Sequence, residues 1–353
     1  MMNLSITETL LALSRSTELA ILGKATLLLA AGLVVSYLAG RWAASVRHLV
    51  LATTFGTLLA LPFVVISAPE VAIGVPVSAG ISLNAESINS STAVLSEAGS
   101  SAGPGLQQAR SWVLASWKEL LLMVWVAGAL LMTLRLAVDL WRLRLLRRTS
   151  IPALELCQRM QELVAESGIR RPVELLLHDD IPAPLTCGIW RPAILLPADA
   201  FAWNADDLRR ALIHELEHVR RADWVIQLLA RAACTCYWFH PLVWVASRRL
   251  ALDAERACDD AVVRTEESTA YAQQLVLLAR RMSHTQVQVA LGMAQRSDLS
   301  TRVTSVLDAS QSRGRSGLLT ATAVLGVAGI VLFAIGPIRA VAQSSIAKTS
   351  EPT

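Results

Sequence analysis

Two histidines and a glutamate carry the chemistry legible in this chain. Residues 211–219 read Ala-Leu-Ile-His-Glu-Leu-Glu-His-Val, so His214 and His218 stand four apart with Glu215 beside the first. On a helix, residues i and i+4 lie one above the other on one face, and both imidazoles then reach a single metal ion. Glu215 is placed to take a proton from a water that the metal has made acidic. The chain has six histidines in 353 residues, so the pattern would arise by chance roughly once in a few hundred such chains. An incidental polar helix face is therefore the weaker reading, and a zinc ion (Zn2+) is the expected cofactor.

A hydrolytic zinc site needs a third protein ligand and one open position. Residues 252–260, Leu-Asp-Ala-Glu-Arg-Ala-Cys-Asp-Asp, offer Glu255 as that ligand. Asp259, one turn further on the same helix face, is placed to accept a hydrogen bond from the non-ligating nitrogen of a zinc histidine and so fix its tautomer. The chemistry that follows is peptide hydrolysis. Zinc draws the pKa of its water toward ~7 and polarises the carbonyl, while Glu215 takes the proton and passes it to the leaving amine. Tyr271 and His240 are the candidates for steadying the oxyanion. Leu185-Thr186-Cys187-Gly188 is expected to be an edge strand that pairs with substrate backbone, which makes Thr186 and Gly188 candidate substrate contacts.

The rest of the chain must hold this site at a membrane. Hydrophobic residues make up 54% and charged residues 17%, with a mean hydropathy of +0.47, which is too apolar for an ordinary soluble enzyme. The formal charge of +4 matters less than where the basic residues fall. No direct nucleic-acid signature is present. The five cysteines, Cys157, Cys187, Cys234, Cys236 and Cys258, all lie between the third and fourth apolar runs, and read as reduced cytosolic thiols rather than a disulfide framework. Cys234 and Cys236 form only a weak C-x-C metal motif.

Taken in order, residues 1–19 are expected outside the cytoplasm and 20–67 hold two spans, with Arg41, Arg47 and His48 in the inner turn between them. Pro62 is expected to kink the second. Residues 68–111, rich in Ser, Gly, Ala and Pro, read as an outer loop, partly disordered, whose Asn89 sequon is accidental. The third span, 112–138, is followed by Arg142, Arg144, Arg147 and Arg148, the strongest positive-inside signal of the chain. Residues 139–315 form the catalytic domain. In it an amphipathic helix is expected over 151–168 and a small antiparallel sheet over 173–178, 184–188 and 193–196. Residues 223–239 are strongly apolar, but Arg231 would be costly inside a bilayer, and a crossing there would put Glu255 on the far side from His214. That segment is expected to be buried against the domain or to lie on the inner leaflet. Residues 316–336 are a fourth span and 337–353 a short outer tail.

These residues resemble a known family. His214-Glu-Leu-Glu-His218-Val-Arg-Arg-Ala-Asp223-Trp, Phe239-His-Pro-Leu-Val-Trp244 and Asp253-Ala-Glu255-Arg-Ala-Cys-Asp259 are similar to the BlaR/MecR-type membrane metallopeptidases. Ala183-Pro-Leu-Thr-Cys-Gly188 and Arg191-Pro-Ala-Ile-Leu-Leu-Pro197 add to the likeness, which covers most of the chain. The resemblance implies zinc ligands at His214, His218 and Glu255, a catalytic Glu215, a protease facing the cytoplasm, and the loss of a DNA-binding repressor on activation. It departs at the C-terminus. Beta-lactam-sensing members carry a penicillin-binding domain after the fourth span, whereas this sequence ends within about seventeen residues of it, and its Ser345-Ile-Ala-Lys348 matches the S-x-x-K pattern by coincidence. Antibiotic sensing is therefore not expected.

The expectation is a mainly α membrane protein, with four transmembrane helices and an α+β gluzincin-like zinc peptidase domain inserted between spans three and four. It would sit in the bacterial inner membrane as a zinc endopeptidase of signal transduction. Its partners would be membrane lipid and a peptide or protein substrate such as a helix-turn-helix repressor, with a homodimer and self-cleavage left open. The alternatives are an HtpX-like quality-control protease and a transducer that signals without cleaving.

Overall fold

The computed structural model describes residues 17–67, 71–76, 104–284, 292–314, 317–336 and 338–343. The extreme N-terminus, the Asn89 sequon and the Ser345–Lys348 motif lie outside these. Four helices are long and apolar enough to cross a membrane: α1 (Thr17–Leu38), α2 (Ala44–Ser67), α3 (Pro104–Thr149) and α10 (Leu318–Ile335). Pro62 lies inside α2. No breaker follows Val138, so α3 runs on through Arg142 and Arg144 to Thr149 instead of ending at 138, and basic side chains suit its C-terminal dipole. Where an irregular outer loop and tail were expected, β1 (Val71–Pro76) and β6 (Ile338–Gln343) pair in parallel.

Between α3 and α10 lie a small sheet and six helices. Strands β2 (Ile151–Pro152), β3 (Glu174–His178), β4 (Leu185–Cys187) and β5 (Ala193–Pro197) form a sheet of order β2-β3-β5-β4. It is mixed, not antiparallel as the sequence suggested, because the β4–β5 hairpin folds back so that β5 lies parallel to β3 and leaves β4 at the edge. β5 is buried along its whole length, which its run Ala-Ile-Leu-Leu-Pro permits. Residues 151–168 are not one helix. The first two pair with β3, Leu154–Leu156 form a 3-10 turn, and α4 (Cys157–Ser167) follows, closed by Gly168 at φ 71°.

Helix α5 (Ala205–Arg221) carries the histidine pair. Asn204 caps it by accepting from the Asp206 amide, and Asp206 and Asp207 suit its positive end. Leu208, Leu212, Leu216 and Val219 recur at helical spacing and pack on Leu175, Leu177, Ile194 and Leu196 of the sheet and on Met160 and Leu163 of α4. Ala222, at φ 55°, ends the helix and turns the chain directly into α6 (Asp223–Cys236).

Helices α6 and α7 (Pro241–Val263) form a hairpin, and α6 is not among the helices long and apolar enough to span. Ala230, Ala233, Tyr237, Val243 and Ala246 of this hairpin share one core with Ala25 and Leu29 of α1 and Leu51, Phe55 and Leu58 of α2. Trp238 fits over Gly128 of α3, where a Cβ would come within 2.2 Å of the indole ring. At the base of α2, Arg47 Nε meets Asp253 Oδ1 of α7 at 3.1 Å, with both side chains buried. Helices α8 (Ser268–His284) and α9 (Gly292–Leu307) close the domain.

Gly128→Ala should force the rigid Trp238 ring outward at a cost of about 1–3 kcal/mol. Thermal unfolding of the detergent-solubilised chain is expected to show the corresponding fall in midpoint, and Gly326→Ala, where nothing lies within 4 Å, to leave it unchanged.

Candidate metal centre

Helix α5 turns its apolar stripe to the sheet, so His214, Glu215 and His218 face the returning helix α7. There Glu255 meets both rings: Oε2 lies 3.5 Å from His214 Nε2 and Oε1 lies 3.5 Å from His218 Nε2. The carboxylate that the sequence singled out forty residues downstream is thus brought between the two histidines. The α6–α7 hairpin returns the chain to the side it left, and this makes the convergence possible.

The other nitrogen of each ring is already engaged. Tyr271 of α8, fully buried, donates its single hydroxyl proton to Asp259 Oδ1 at 2.7 Å. Its oxygen lies 3.0 Å from His214 Nδ1, and a hydroxyl whose proton is committed can only accept there. Burial and the charge of Asp259 hold the Tyr271 phenol well above its ordinary pKa, so it keeps that proton. His214 Nδ1 must therefore carry hydrogen. His218 Nδ1 lies 2.8 Å from Asp223 Oδ2, an acceptor with the same consequence. In the neutral form of each ring the Nε2 lone pair would then point at the Glu255 side, which is the tautomer a metal requires.

The cation holding the carboxylates in place is Arg302 of α9. Its Nε and Nη2 grip Asp259 at 2.8 and 2.7 Å, and its Nη1 lies 2.9 Å from Glu255 Oε2. Burial works against ionisation of Glu255 and Asp259, but Arg302 and the imidazoles outweigh it and hold both well below the usual carboxylate range. Cys258 also lies within the cluster, its sulfur within 4.8 Å of donor atoms on both histidines. Burial pushes that thiol up to about 12, whereas Glu255 is already ionised and faces both Nε2 atoms, so the carboxylate is the better third donor. Burial opposes charge on the two imidazoles, but the acidic groups around them outweigh it and hold both above the ordinary histidine range; once deprotonated, two imidazoles with one carboxylate are a donor set suited to zinc.

Glu215 sits at the mouth of this cluster. Thr186 of β4 donates from Oγ1 to Glu215 Oε2 at 2.6 Å, and the Trp224 indole N–H donates to the Thr186 carbonyl at 3.1 Å. Among the described residues no strand pairs with the outer edge of β4. Gly188 takes φ 96° at the turn after β4, where a Cβ would meet the Arg191 carbonyl at 2.6 Å, so its place is explained by the turn.

Two expectations need correcting. Tyr271 is buried behind His214, on the side away from the Glu255 carboxylate, and is committed to Asp259, so it has no access to an oxyanion. His240 is far from the cluster, at the tip of the hairpin, with Nε2 3.0 Å from Thr26 Oγ1 of α1; it caps a packing contact. Asp223 and Arg302 were missed. Asp223 stood in the quoted motif without a role, and Arg302 belongs to no motif that could have flagged it.

A family model described as BlaR1 peptidase M56 matches residues 18–306, and the chain belongs to that family. It is 40% identical over 85 residues to the Regulatory protein BlaR1 of Bacillus licheniformis, covering 24% of this chain and 14% of that protein. It is 21% identical over 147 residues to the Methicillin resistance mecR1 protein of Staphylococcus aureus, covering 41% of this chain and 25% of that protein. The mecR1 protein of Staphylococcus epidermidis matches to the same extent. The aligned stretches thus span a quarter or less of these relatives.

Asp223→Asn should release the His218 tautomer and weaken zinc binding about 10–100-fold, measured by chelator competition on the purified full chain. A second expectation concerns Asp260, which burial, against the pull of Arg313, pushes up to about 6. A raised carboxyl favours the folded state most below its unfolded pKa of 3.8 and loses that contribution as pH rises through 6. Asp260→Asn should therefore be more stable than wild type at pH 8, with the advantage shrinking toward pH 4 in thermal denaturation.

Proposed function

We propose that this chain is a membrane-embedded zinc endopeptidase with a gluzincin-like centre, and that its cut inactivates a cytosolic transcriptional repressor. The observation that carries the reading is the approach of one carboxylate, Glu255, to the free nitrogens of both histidines, with Glu215 beside them. His214, His218 and Glu255 would hold the zinc, which when bound acidifies water and polarises the scissile carbonyl. Glu215 would accept the proton and return it to the leaving amine, its carboxylate aimed by the Thr186 hydroxyl. The open edge of β4 would take an extended substrate as an added strand, which puts a peptide beside Glu215.

Orientation follows from charge. Arg41, Arg47 and His48 stand at one end of α1 and α2 and Arg142 to Arg148 at the corresponding end of α3. The metal cluster lies at that end too, joined to His48 through Asp223 at 3.7 Å. The positive-inside rule would place that end in the cytoplasm, where a helix-turn-helix repressor is accessible. The names BlaR1 and mecR1 of the relatives support a part in resistance signalling. Self-cleavage is part of the proposal that the same experiment reads, and a homodimer is a further part.

The test compares wild type with Glu215→Gln in membranes. Zinc content is expected to be equal, and cleavage of a candidate helix-turn-helix repressor, or of the chain itself, to fall by about 10²–10⁴-fold in the variant. Wild-type protein without zinc, or cleavage untouched by the substitution, overturns the assignment.

A further inference from the structure

We infer that the α6–α7 hairpin is a re-entrant element whose tip is buried in the hydrocarbon of one leaflet, so that its exposed face is a surface for lipid acyl chains. Residues 232–247 contain no Asp, Glu, Lys or Arg. Arg231 and Arg248 stand at the two ends of this stretch, the first 3.9 Å from Asp139 of α3 and the second 3.2 Å from Asp298 of α9. Both lie eight or nine residues from His240, so at ~1.5 Å per residue the hairpin projects about 12–14 Å beyond one collar of charge. That is close to the ~15 Å depth of a single leaflet's hydrocarbon.

The spans supply an independent gauge. Trp238 sits over Gly128 of α3, about 16 Å along that helix from Asp139. The Tyr237 hydroxyl donates to the Leu58 carbonyl of α2 at 3.4 Å, about 15 Å from His48. His240 meets Thr26 of α1, about 18 Å from Leu38 at the end of that helix. Three spans thus agree that the tip lies near their midpoints. The face turned away from them shows Phe239 at 45% and Val245 at 54% exposure, together with half-exposed Trp244. That face is continuous with the apolar outer surface of α3. Water against these side chains would be unfavourable, and acyl chains are what surrounds the spans at the same level. The indole N–H groups at the tip are satisfied internally, Trp238 on the Trp125 carbonyl at 3.2 Å and Trp244 on the Trp238 carbonyl at 2.8 Å, as a dry environment demands.

The test uses the full chain in phosphatidylcholine nanodiscs, in a Cys236→Ser background because Cys236 is the exposed thiol among the described cysteines. Spin labels are placed by Phe239→Cys and Val245→Cys, with Leu130→Cys on α3 as a lipid reference and Leu154→Cys on the domain as a water reference. The ratio of collisions with oxygen to collisions with a nickel chelate is expected at 239 and 245 to match Leu130, and to exceed Leu154 by on the order of tenfold, since hydrocarbon excludes the chelate. A ratio matching Leu154 overturns the inference. So does shielding from both reagents, which would mean a protein-covered face such as a contact between two copies. If a labelled variant does not fold, brominated acyl chains replace the labels: they should quench wild type more than Trp244→Phe, and equal quenching overturns the inference. None of these readouts depends on proteolysis, so their failure is distinct from failure of the peptidase assignment.

Discussion

The structure turns on holding two buried imidazoles so that they face the same way. A buried histidine presents a metal-binding lone pair only when its other nitrogen has an acceptor, and each acceptor here comes from a different place in the chain. Asp223, the first residue of α6, serves His218. Asp259, near the end of α7, serves His214 with Tyr271 as intermediary. Since Glu255 is on the same face of α7 as Asp259, one helix delivers both the carboxylate between the two rings and the group behind His214. Arg302 gathers these two carboxylates with one guanidinium, which offsets the cost of holding two anions in a buried site.

The same helices tie the centre to the spans. His48 stands beside Asp223, and Arg47 pairs with Asp253, two residues before Glu255. Arg249 and Arg256 also face Asp253, at 3.5 and 3.7 Å. Arg47 further donates to the carbonyls of Gly40 and Trp42 in the turn between α1 and α2. A charge cluster buried this deeply tolerates little sliding, because losing one partner strands the others without water. The basic residues at the base of α2, which read from sequence as markers of topology, are therefore also structural bolts.

How far the sequence could be read depended on the range of each signal. The histidine pair, the Glu255 carboxylate and the apolar runs of the spans are local patterns of type and spacing, and they were legible. What escaped were relations settled only by packing. Arg302 lies far from Glu255 in sequence and carries no motif. The sheet was misread as antiparallel because strand order is decided by which edge a hairpin chooses. His240 sits in a conspicuous Phe-His-Pro step, yet its neighbour is Thr26, more than two hundred residues away. Tyr271 had the right chemistry for an oxyanion contact and the wrong side of the imidazole. The apolar segment 223–239 was expected to be buried or interfacial, and Ala230, Ala233 and Tyr237 are buried, against the spans α1 and α2.

The position of Asp253 within α7 has a mechanical corollary. With Arg47 as fulcrum, the arm toward Pro241 is twelve residues and the arm to Glu255 is two, or about 18 Å against about 3 Å. Such unequal arms divide any swing of the tip by roughly six, so a displacement of 3 Å there reaches the carboxylate as about 0.5 Å. Catalytic geometry responds steeply at that scale, where 1 Å of misplacement costs about a hundredfold in rate. Any tilt of α7 about Arg47 would thus reach Glu255 as a vernier reaches its scale, coarse at the tip and fine at the carboxylate.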